Sequence, residues 1–401
     1  MKRGAWHQCG FNSQKVVQEL LTAGVGVGAI ISPKDLSFDN AQAYAKEYKN
    51  VGASVLLDPQ FYEPEYAAGR LSSYPMAQFR QSIASLGALS PPSMSGLTDA
   101  LRQENQALGC EAVIAPAIPY EAARPDISKL NARLFSAAKA AGDALGIPTY
   151  ATVVLGSSVT TSTVAQTILS QATSVPADGW YYGFEFDNSD RLPSDVEAVA
   201  RYCSAGLTLA CTGKPVLHAY AGPIANLAFG AGARAAAIGF WQNLWGFSRS
   251  RYQPPTGQGG GGDAPPRFFS SSLWGTIVYP DEILQLSVAL RPKVLTHSSY
   301  SSAVSSTAAA PWQKWDSYRH MVSKIVERVV PLAALGNARD AMAQVVSDLS
   351  AANLLHAQIA STGLILRDGS NAYQPAWAAA GTRLLADYSG DYDWLELQGG
   401  P

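Results

Sequence analysis

The chain has 401 residues, of which 47% are hydrophobic and 15% are charged, and its formal net charge is −2 at pH 7. This length is sufficient for one large domain with an extension or for two domains. The near-neutral charge excludes a general electrostatic attraction to nucleic acid, so a protein that binds nucleic acid would need a local basic surface.

One pattern recurs along most of the chain: an apolar run, then a polar or aromatic cluster, then a helical stretch. The apolar runs lie at 26–31, 54–57, 111–115, 149–155, 180–184, 215–217, 234–240 and 293–295. Apolar strands that alternate with helices predict a parallel sheet buried on both faces, and eight such strands predict an α/β fold of the (β/α)8 TIM-barrel type. Because such barrels carry their chemistry at the carboxyl ends of the strands, the residues that follow each run are candidate site residues.

Helical patterns lie before, between and after these runs. They cover 14–23, 40–50, 95–109, 127–146, 194–213, 315–330, 338–360 and 375–387. We therefore predict a barrel over 1–335 and a C-terminal helical extension over 336–401. Two connections, 59–94 and 244–280, are long enough to be functional lids or inserts. The glycine-rich run at 259–262 lacks the phosphate-loop pattern and predicts a flexible hinge.

Three carboxylates follow predicted strands. Asp58 ends the second predicted strand and is followed by polar and aromatic residues, so it could activate water or face a developing sugar cation. Glu185 and Asp187 end the fifth predicted strand, where alternation places them on one side. Paired carboxylates can divide acid and base roles. Alternatively, Asp58 caps a helix or turn, and Asp187 or Glu185 caps a turn or pairs with Arg191.

Further polar and aromatic residues end the sixth and seventh predicted strands. His218 and Tyr220 are expected on one side of their strand, where His218 is either catalytic or a hydrogen-bonded core residue. Trp241 could stack on a planar ring and Asn243 could bind the edge of that ring, although aromatic residues at a barrel rim are also ordinary packing residues.

Basic residues cluster in two places. Arg249 and Arg251 lie beside aromatic residues just after the seventh predicted strand, and Arg267 closes the same loop. Lys324 and Arg328 lie four residues apart on a predicted helix and share one face. Basic residues interleaved with aromatic residues suit a nucleic-acid backbone, whereas the alternative is a solvated helix face.

Several other classes of site have no signal in the sequence. The four cysteines are scattered without metal-ligand spacing, so no metal is expected. No serine-nucleophile motif and no dinucleotide-binding motif is present, so no cofactor is expected. The chain shows no signal-peptide core and no membrane-spanning apolar stretch, which predicts a cytoplasmic protein that does not bind membranes.

Three blocks carry a resemblance to a known family. LLDPQFY at 56–62, GFEFD at 183–187 and ARAAAIGFWQNLWGFSRSR at 233–251 resemble parts of the barrel of tRNA-guanine transglycosylases, and more closely the Brig-type phage-defence DNA glycosylases. The resemblance implies that Asp58 matches the aspartate of the base pocket and that Arg249 corresponds to a family arginine. The family's second aspartate is absent at 240–243, as is its zinc pattern, which argues against base exchange and leaves hydrolysis.

These features together predict a DNA glycosylase that flips a modified base, such as glucosylated hydroxymethylcytosine in double-stranded phage DNA, into the barrel mouth and leaves an abasic site. Asp58 would stabilise the sugar cation, and Glu185 or His218 would assist departure of the base. The predicted substrate-binding residues are Gln60, Phe61, Tyr62, Tyr182, Asp187, Tyr220, Trp241 and Asn243. The predicted phosphate-binding residues are Arg249, Arg251, Arg267, Lys324 and Arg328. The alternatives are an O-glycoside hydrolase, a relative of the tRNA-base transglycosylases, or a barrel that binds without catalysis.

Overall fold

A computed structural model describes residues 1–66, 68–84, 90–186, 192–253, 265–304, 312–367 and 372–399. Eight parallel strands form one sheet. They are β1 (Gly4–Gln8), β2 (Gly28–Ile31), β3 (Ser54–Leu57), β4 (Val113–Ile114), β5 (Thr149–Leu155), β6 (Gly179–Phe184), β7 (Val216–His218) and β8 (Ala235–Gly239).

The sheet curves into a nearly closed barrel. Its strand order is β3-β2-β1-β8-β7-β6-β5-β4. Its two ends meet where the backbone N–H of Glu111, just before β4, donates a hydrogen bond of 3.1 Å to the carbonyl of Val55 in β3. The predicted (β/α)8 TIM-type barrel is therefore confirmed.

The first strand differs from the prediction. β1 lies between β2 and β8, yet it contains the buried polar residues His7 and Gln8, and for this reason it does not show an apolar run. The predicted strand at 293–295 is wrong: these residues lie in and beside a short helix, Arg291–Val294, outside the eight-stranded sheet. The other seven predicted runs overlap β2 to β8.

Helices surround the sheet and continue beyond it. They are α1 (Gln14–Thr22), α2 (Phe38–Asn50), α3 (Arg80–Ala84), α4 (Pro91–Leu108), α5 (Asp126–Leu145), α6 (Ser162–Ala172), α7 (Val196–Ala210), α8 (Ala225–Gly230), α9 (Asp281–Gln285), α10 (Arg291–Val294), α11 (Lys314–Ala334), α12 (Ala338–Ala360), α13 (Tyr373–Asp387) and α14 (Ser389–Leu397). None of them, within the described part of the chain, combines the length and apolarity that a membrane span requires.

Strand alternation divides the core into an outer layer and a lumen. Outward-facing residues such as Val55, Val153 and Tyr182 pack against the helices. Inward-facing residues such as Trp6 and Leu56 fill the lumen with side chains. The lumen is thus a packed core, as is usual for barrels of eight strands, and polar chemistry is expected only at its end.

A separate hydrophobic cluster lies beyond the barrel strands. The antiparallel strands β9 (Arg267–Ser270) and β10 (Gly275–Val278) form a hairpin that packs against α11. Its apolar face belongs to a cluster that includes Phe268, Leu290 and Ile359. The long connection at 244–280 therefore contains regular structure, while the glycine-rich run at 259–262 lies outside the described residues.

Candidate active site at the carboxyl end of the barrel

Asp58 is the centre of a buried hydrogen-bond network. It follows β3 directly and is 0% exposed. Its Oδ1 accepts hydrogen bonds from the Tyr62 hydroxyl at 2.9 Å and from the backbone N–H of Gln60 at 3.0 Å. Its Oδ2 accepts from the hydroxyls of Tyr220 at 2.6 Å and Tyr181 at 3.0 Å. Both carboxyl oxygens are thus held in place by the segment after β3, by β6 and by the segment after β7.

This environment changes the acidity of Asp58. Burial raises the pKa of its carboxyl above the ordinary range, and the hydrogen bonds from Tyr220, Tyr62 and Tyr181 oppose part of that increase. A carboxyl whose pKa is raised keeps its proton to higher pH, which is the property that a general acid needs.

Two backbone positions beside Asp58 lie in the left-handed region. Gln60 has φ of 56° and Tyr220 has φ of 52°. Such values are uncommon for residues other than glycine, asparagine and aspartate. At Tyr220 the left-handed backbone breaks the strand alternation, so its side chain joins the inward-facing cluster while His218 points outward.

Aromatic side chains cover Asp58. The rings of Tyr62 and Phe247 lie 4.8 Å apart, and those of Tyr62 and Tyr252 lie 5.1 Å apart. The hydroxyls of Tyr252 and Tyr220 lie 2.6 Å apart, which links this cover to the carboxyl network. The cover comes from the segments that follow β3 and β8. Asp58 is therefore closed off from solvent, whereas the predicted binding of a flipped base in the barrel mouth would need an open pocket there.

A second layer of polar residues supports the network. The side-chain amide of Gln60 donates to the Ser32 hydroxyl at 2.8 Å, and Ser32 donates to Asp35 at 2.6 Å. Asp35 forms a salt bridge with Arg251. Gln60 therefore links this second layer to Asp58. Its side-chain amide already has a partner within the protein, so the predicted binding of a base by Gln60 is not needed to account for its position.

Glu185 binds an arginine of the covering segment. Its carboxylate accepts from the Arg249 backbone N–H at 2.7 Å and from Arg249 Nε at 3.0 Å. Arg249 also forms a salt bridge with Glu121, which lies after β4. The ion pairs fasten the segment after β8 to the ends of β4 and β6. Asp187, its predicted partner, lies outside the described residues.

His218 and Tyr182 do not lie in the lumen. His218 is fully buried, its Nδ1 lies 2.8 Å from the Tyr202 hydroxyl of α7, and burial lowers its pKa to about 3. Tyr182 donates a hydrogen bond of 3.1 Å to the Tyr202 carbonyl. The expectations that His218 shares a side with Tyr220 and that Tyr182 faces a bound base are wrong, because both side chains pack against α7.

The other predicted stacking residues are dispersed. Phe61 is buried in the outer layer, with the Arg80 guanidinium 4.8 Å above its ring. Trp241 packs against Phe240 and donates from Nε1 to the Phe11 carbonyl at 2.7 Å, and Asn243 is exposed. The structure therefore brings only Tyr62 and Tyr220 of the predicted aromatic residues to Asp58.

The predicted phosphate-binding residues are already engaged. Arg249 and Arg251 form the ion pairs described above. Lys324 binds Glu327 at 2.6 Å and the His297 carbonyl at 3.1 Å, and Arg328 binds Asp348 at 2.8 Å. Arg267 lies in β9 and also has interaction partners. The shared face of α11 packs against β9 and its surroundings, so it is not a solvated helix face, and both of its predicted phosphate-binding cations have carboxylate partners.

Sequence reasoning missed three buried members of the site. Tyr181 directly precedes Tyr182, which was predicted to bind the substrate. The correct strand alternation would have placed Tyr181 in the lumen instead of Tyr182. Tyr252 directly follows Arg251 and is one of the aromatic residues that the sequence analysis placed beside the basic cluster without assigning it a role. Arg80, which donates to the carbonyls of Gln60 at 2.8 Å and Glu63 at 2.9 Å, had no local signal because its partners are backbone groups of a loop.

The described residues contain no group of three or more histidine, cysteine, aspartate or glutamate side chains that could hold a metal ion. No protein-family model matches the chain, and no curated protein matches it significantly. Among solved structures, a β-N-acetylhexosaminidase from Beutenbergia cavernae DSM 12333 is similar, with 14% sequence identity and a TM-score of 0.38 over 60% of this chain and 86% of that chain. This similarity is too distant to indicate a function.

Proposed function

We propose that the protein hydrolyses a glycosidic bond at the carboxyl end of its barrel and that Asp58 supplies the proton to the leaving group. The proposal rests on one observation: a carboxyl group at the end of β3 is held by three tyrosine hydroxyls, and burial raises its pKa. A positioned acid of this kind accelerates glycosidic cleavage by protonating the departing atom.

The reaction would proceed by proton transfer and addition of water. Asp58 donates its proton to the glycosidic oxygen as the bond from that oxygen to the anomeric carbon breaks. A water molecule adds to the anomeric carbon and gives its proton to a carboxylate. Glu185 is the candidate acceptor, since it follows β6 at the same end of the barrel.

An O-linked saccharide is the substrate class that the charges favour. The cations predicted to bind DNA phosphates are engaged with carboxylates in four cases, namely Arg249, Arg251, Lys324 and Arg328. Binding of a nucleic-acid backbone needs cations that are free to replace counterions. Around Asp58 the covering groups are aromatic rings, which suit the apolar faces of sugar rings.

Substrate entry requires that the aromatic cover moves. Tyr62 lies four residues after Asp58, and Phe247 and Tyr252 lie in the segment that Arg249 fastens to Glu185. Movement of these two segments would open the end of the lumen directly over Asp58. Loops that close over a site in this way exclude water until the substrate is bound.

The test is hydrolysis of a panel of 4-nitrophenyl glycosides, with phage DNA carrying glucosylated hydroxymethylcytosine as a second arm assayed for abasic sites. Asp58→Asn is expected to lower the rate by a factor of about 100 or more. Asp99→Asn, an exposed position on α4, is the matched control and should leave the rate unchanged. Thermal unfolding followed by circular dichroism shows whether each variant is folded.

The outcomes separate the alternatives. Cleavage of a glycoside that is lost only in Asp58→Asn supports the proposal. Release of a base from DNA with the same dependence on Asp58 would replace the saccharide by the N-glycosidic substrate that the sequence predicts. A folded Asp58→Asn variant with full activity would remove Asp58 from the mechanism, and absence of cleavage in both arms would favour a barrel that only binds.

A further inference from the structure

A second opening lies beside the covered site. It is a cleft of about 800 Å³, including the solvent at its mouth, between the ends of β5 and β6 and the start of α7. We call it the Arg201 cleft. Its lining residues include Ser157, Thr160, Phe184, Glu185, Phe186 and Arg201. Glu185 therefore belongs both to this cleft and to the ion pair beside the barrel mouth.

Arg201 is the unusual member of this lining. Its Nε is buried and has no hydrogen-bond partner, and its guanidinium takes part in none of the salt bridges among the described residues. By contrast, Arg249 nearby binds two carboxylates, Glu121 and Glu185. A buried donor without an acceptor is destabilising, and more so if the group is charged. Among the described residues, the half-buried Arg201 side chain is thus a cation without an acceptor.

The two carboxylates among the described lining residues, Glu185 and Asp195, do not supply that acceptor. Glu185 is bound by Arg249 through its side chain and backbone. Asp195 accepts a hydrogen bond of 3.0 Å from the backbone N–H of Glu197, which caps α7. An incoming anion would therefore meet one uncommitted cation and two acids that already have partners.

The rest of the lining suits a ring. Phe184 and Phe186 lie in the wall with their ring centroids 4.8 Å apart, and both side chains are buried. Ser157 and Thr160 contribute hydroxyl groups, of which Thr160 is exposed. Apolar surface next to a few polar groups is typical of sites for small molecules.

We propose that the Arg201 cleft binds a sugar unit that carries an oxyanion, either a carboxylate or a phosphate, with the oxyanion on Arg201 and the ring against Phe184 and Phe186. Guanidinium groups bind both anions through paired N–H donors. This site goes beyond the proposed cleavage, because it assigns a position next to the barrel mouth where a negatively charged group of the ligand binds. It does not depend on which glycosidic bond is cleaved.

The test is isothermal titration calorimetry of the full chain with D-glucuronate, D-glucose 6-phosphate, D-glucose and inorganic phosphate. None of these probes contains a bond that the proposed reaction would cleave, so a failure of that function leaves this measurement intact. Binding is expected for one or both charged sugars and should be at least about tenfold weaker for D-glucose and for inorganic phosphate. The two charged sugars distinguish a carboxylate from a phosphate.

Variants locate the binding. Arg201→Gln and Arg201→Lys should weaken binding of the charged sugar by about tenfold or more, the lysine variant less than the glutamine variant. Arg102→Gln, which removes an exposed arginine of α4, is the matched control and should bind as the wild type does. Equal affinity for D-glucose and the charged sugars, no binding of any probe, or undiminished binding by a folded Arg201→Gln variant would overturn the proposal.

Discussion

Replacing Glu104 by glutamine is expected to make the protein's stability less dependent on pH. Glu104 lies in α4 and is 0% exposed. Its Oε1 accepts a hydrogen bond from the backbone N–H of Met76 at 2.7 Å, and its buried Oε2 has no hydrogen-bond partner in the described part of the chain. Burial raises the pKa of Glu104 from 4.5 to about 8, and the hydrogen bond from Met76 opposes this increase only in part.

The direction of the effect follows from the number of bound protons. Between pH 4.5 and about 8 the folded protein holds a proton on Glu104 that the unfolded chain has lost. The free energy of unfolding therefore falls as the pH rises through this window. A pKa change of this size corresponds to roughly 5 kcal/mol at most. Glutamine keeps the acceptor for Met76 and does not ionise, so Glu104→Gln should remove most of this fall.

The measurement is urea unfolding at pH 5, 6.5 and 8, which gives the free energy of unfolding of each variant. Glu65→Gln, an exposed glutamate of the same type, is the control and should follow the wild type. The reasoning is refuted if Glu104→Gln loses as much free energy of unfolding between pH 5 and pH 8 as the wild type does.

Three further changes have expected outcomes. Tyr220→Phe removes the hydrogen bond that lowers the pKa of Asp58 the most. The alkaline limb of the pH–rate profile should therefore move to higher pH, and initial rates on the active glycoside would measure this shift. Arg249→Gln leaves two glutamates without their cation and should lower the free energy of unfolding by about 2 kcal/mol in urea titrations. His218→Gln removes a base whose pKa falls to about 3, so acid should unfold this variant less readily between pH 6.5 and 4, as thermal melts at each pH would show.

Most strands of the barrel can be predicted from hydrophobic patterning, and the failure to predict β1 has a physical cause. A parallel strand covered on both faces shows an apolar run, and seven of the eight strands do so. In β1 the two polar side chains have partners inside the fold. His7 Nε2 lies 2.7 Å from the Val25 carbonyl, and Gln8 Oε1 lies 3.3 Å from the Tyr181 hydroxyl. Such partners cannot be identified from the local sequence.

The same limit applies to the charged residues of the site. Arg251 stands in a local cluster of basic and aromatic residues, which indicates a free cationic surface. Its carboxylate partner, Asp35, lies 216 positions away in the sequence. Asp58 itself could be predicted because it follows a strand directly, whereas its burial depends on aromatic residues from the distant segment after β8.

The backbone around Asp58 argues that the network is built for a purpose beyond burial. Gln60 and Tyr220 both adopt left-handed conformations, with φ of 56° and 52°, and each costs roughly 1–2 kcal/mol for a residue with a side chain. The four hydrogen bonds to the carboxyl contribute about 1 kcal/mol each, which offsets this strain but leaves little net gain. An apolar residue in a relaxed turn would fill the same space without these costs. Strain that collects at one buried carboxyl is typical of functional sites, and here it places the Gln60 backbone N–H and the Tyr220 hydroxyl on the group that the proposed reaction requires.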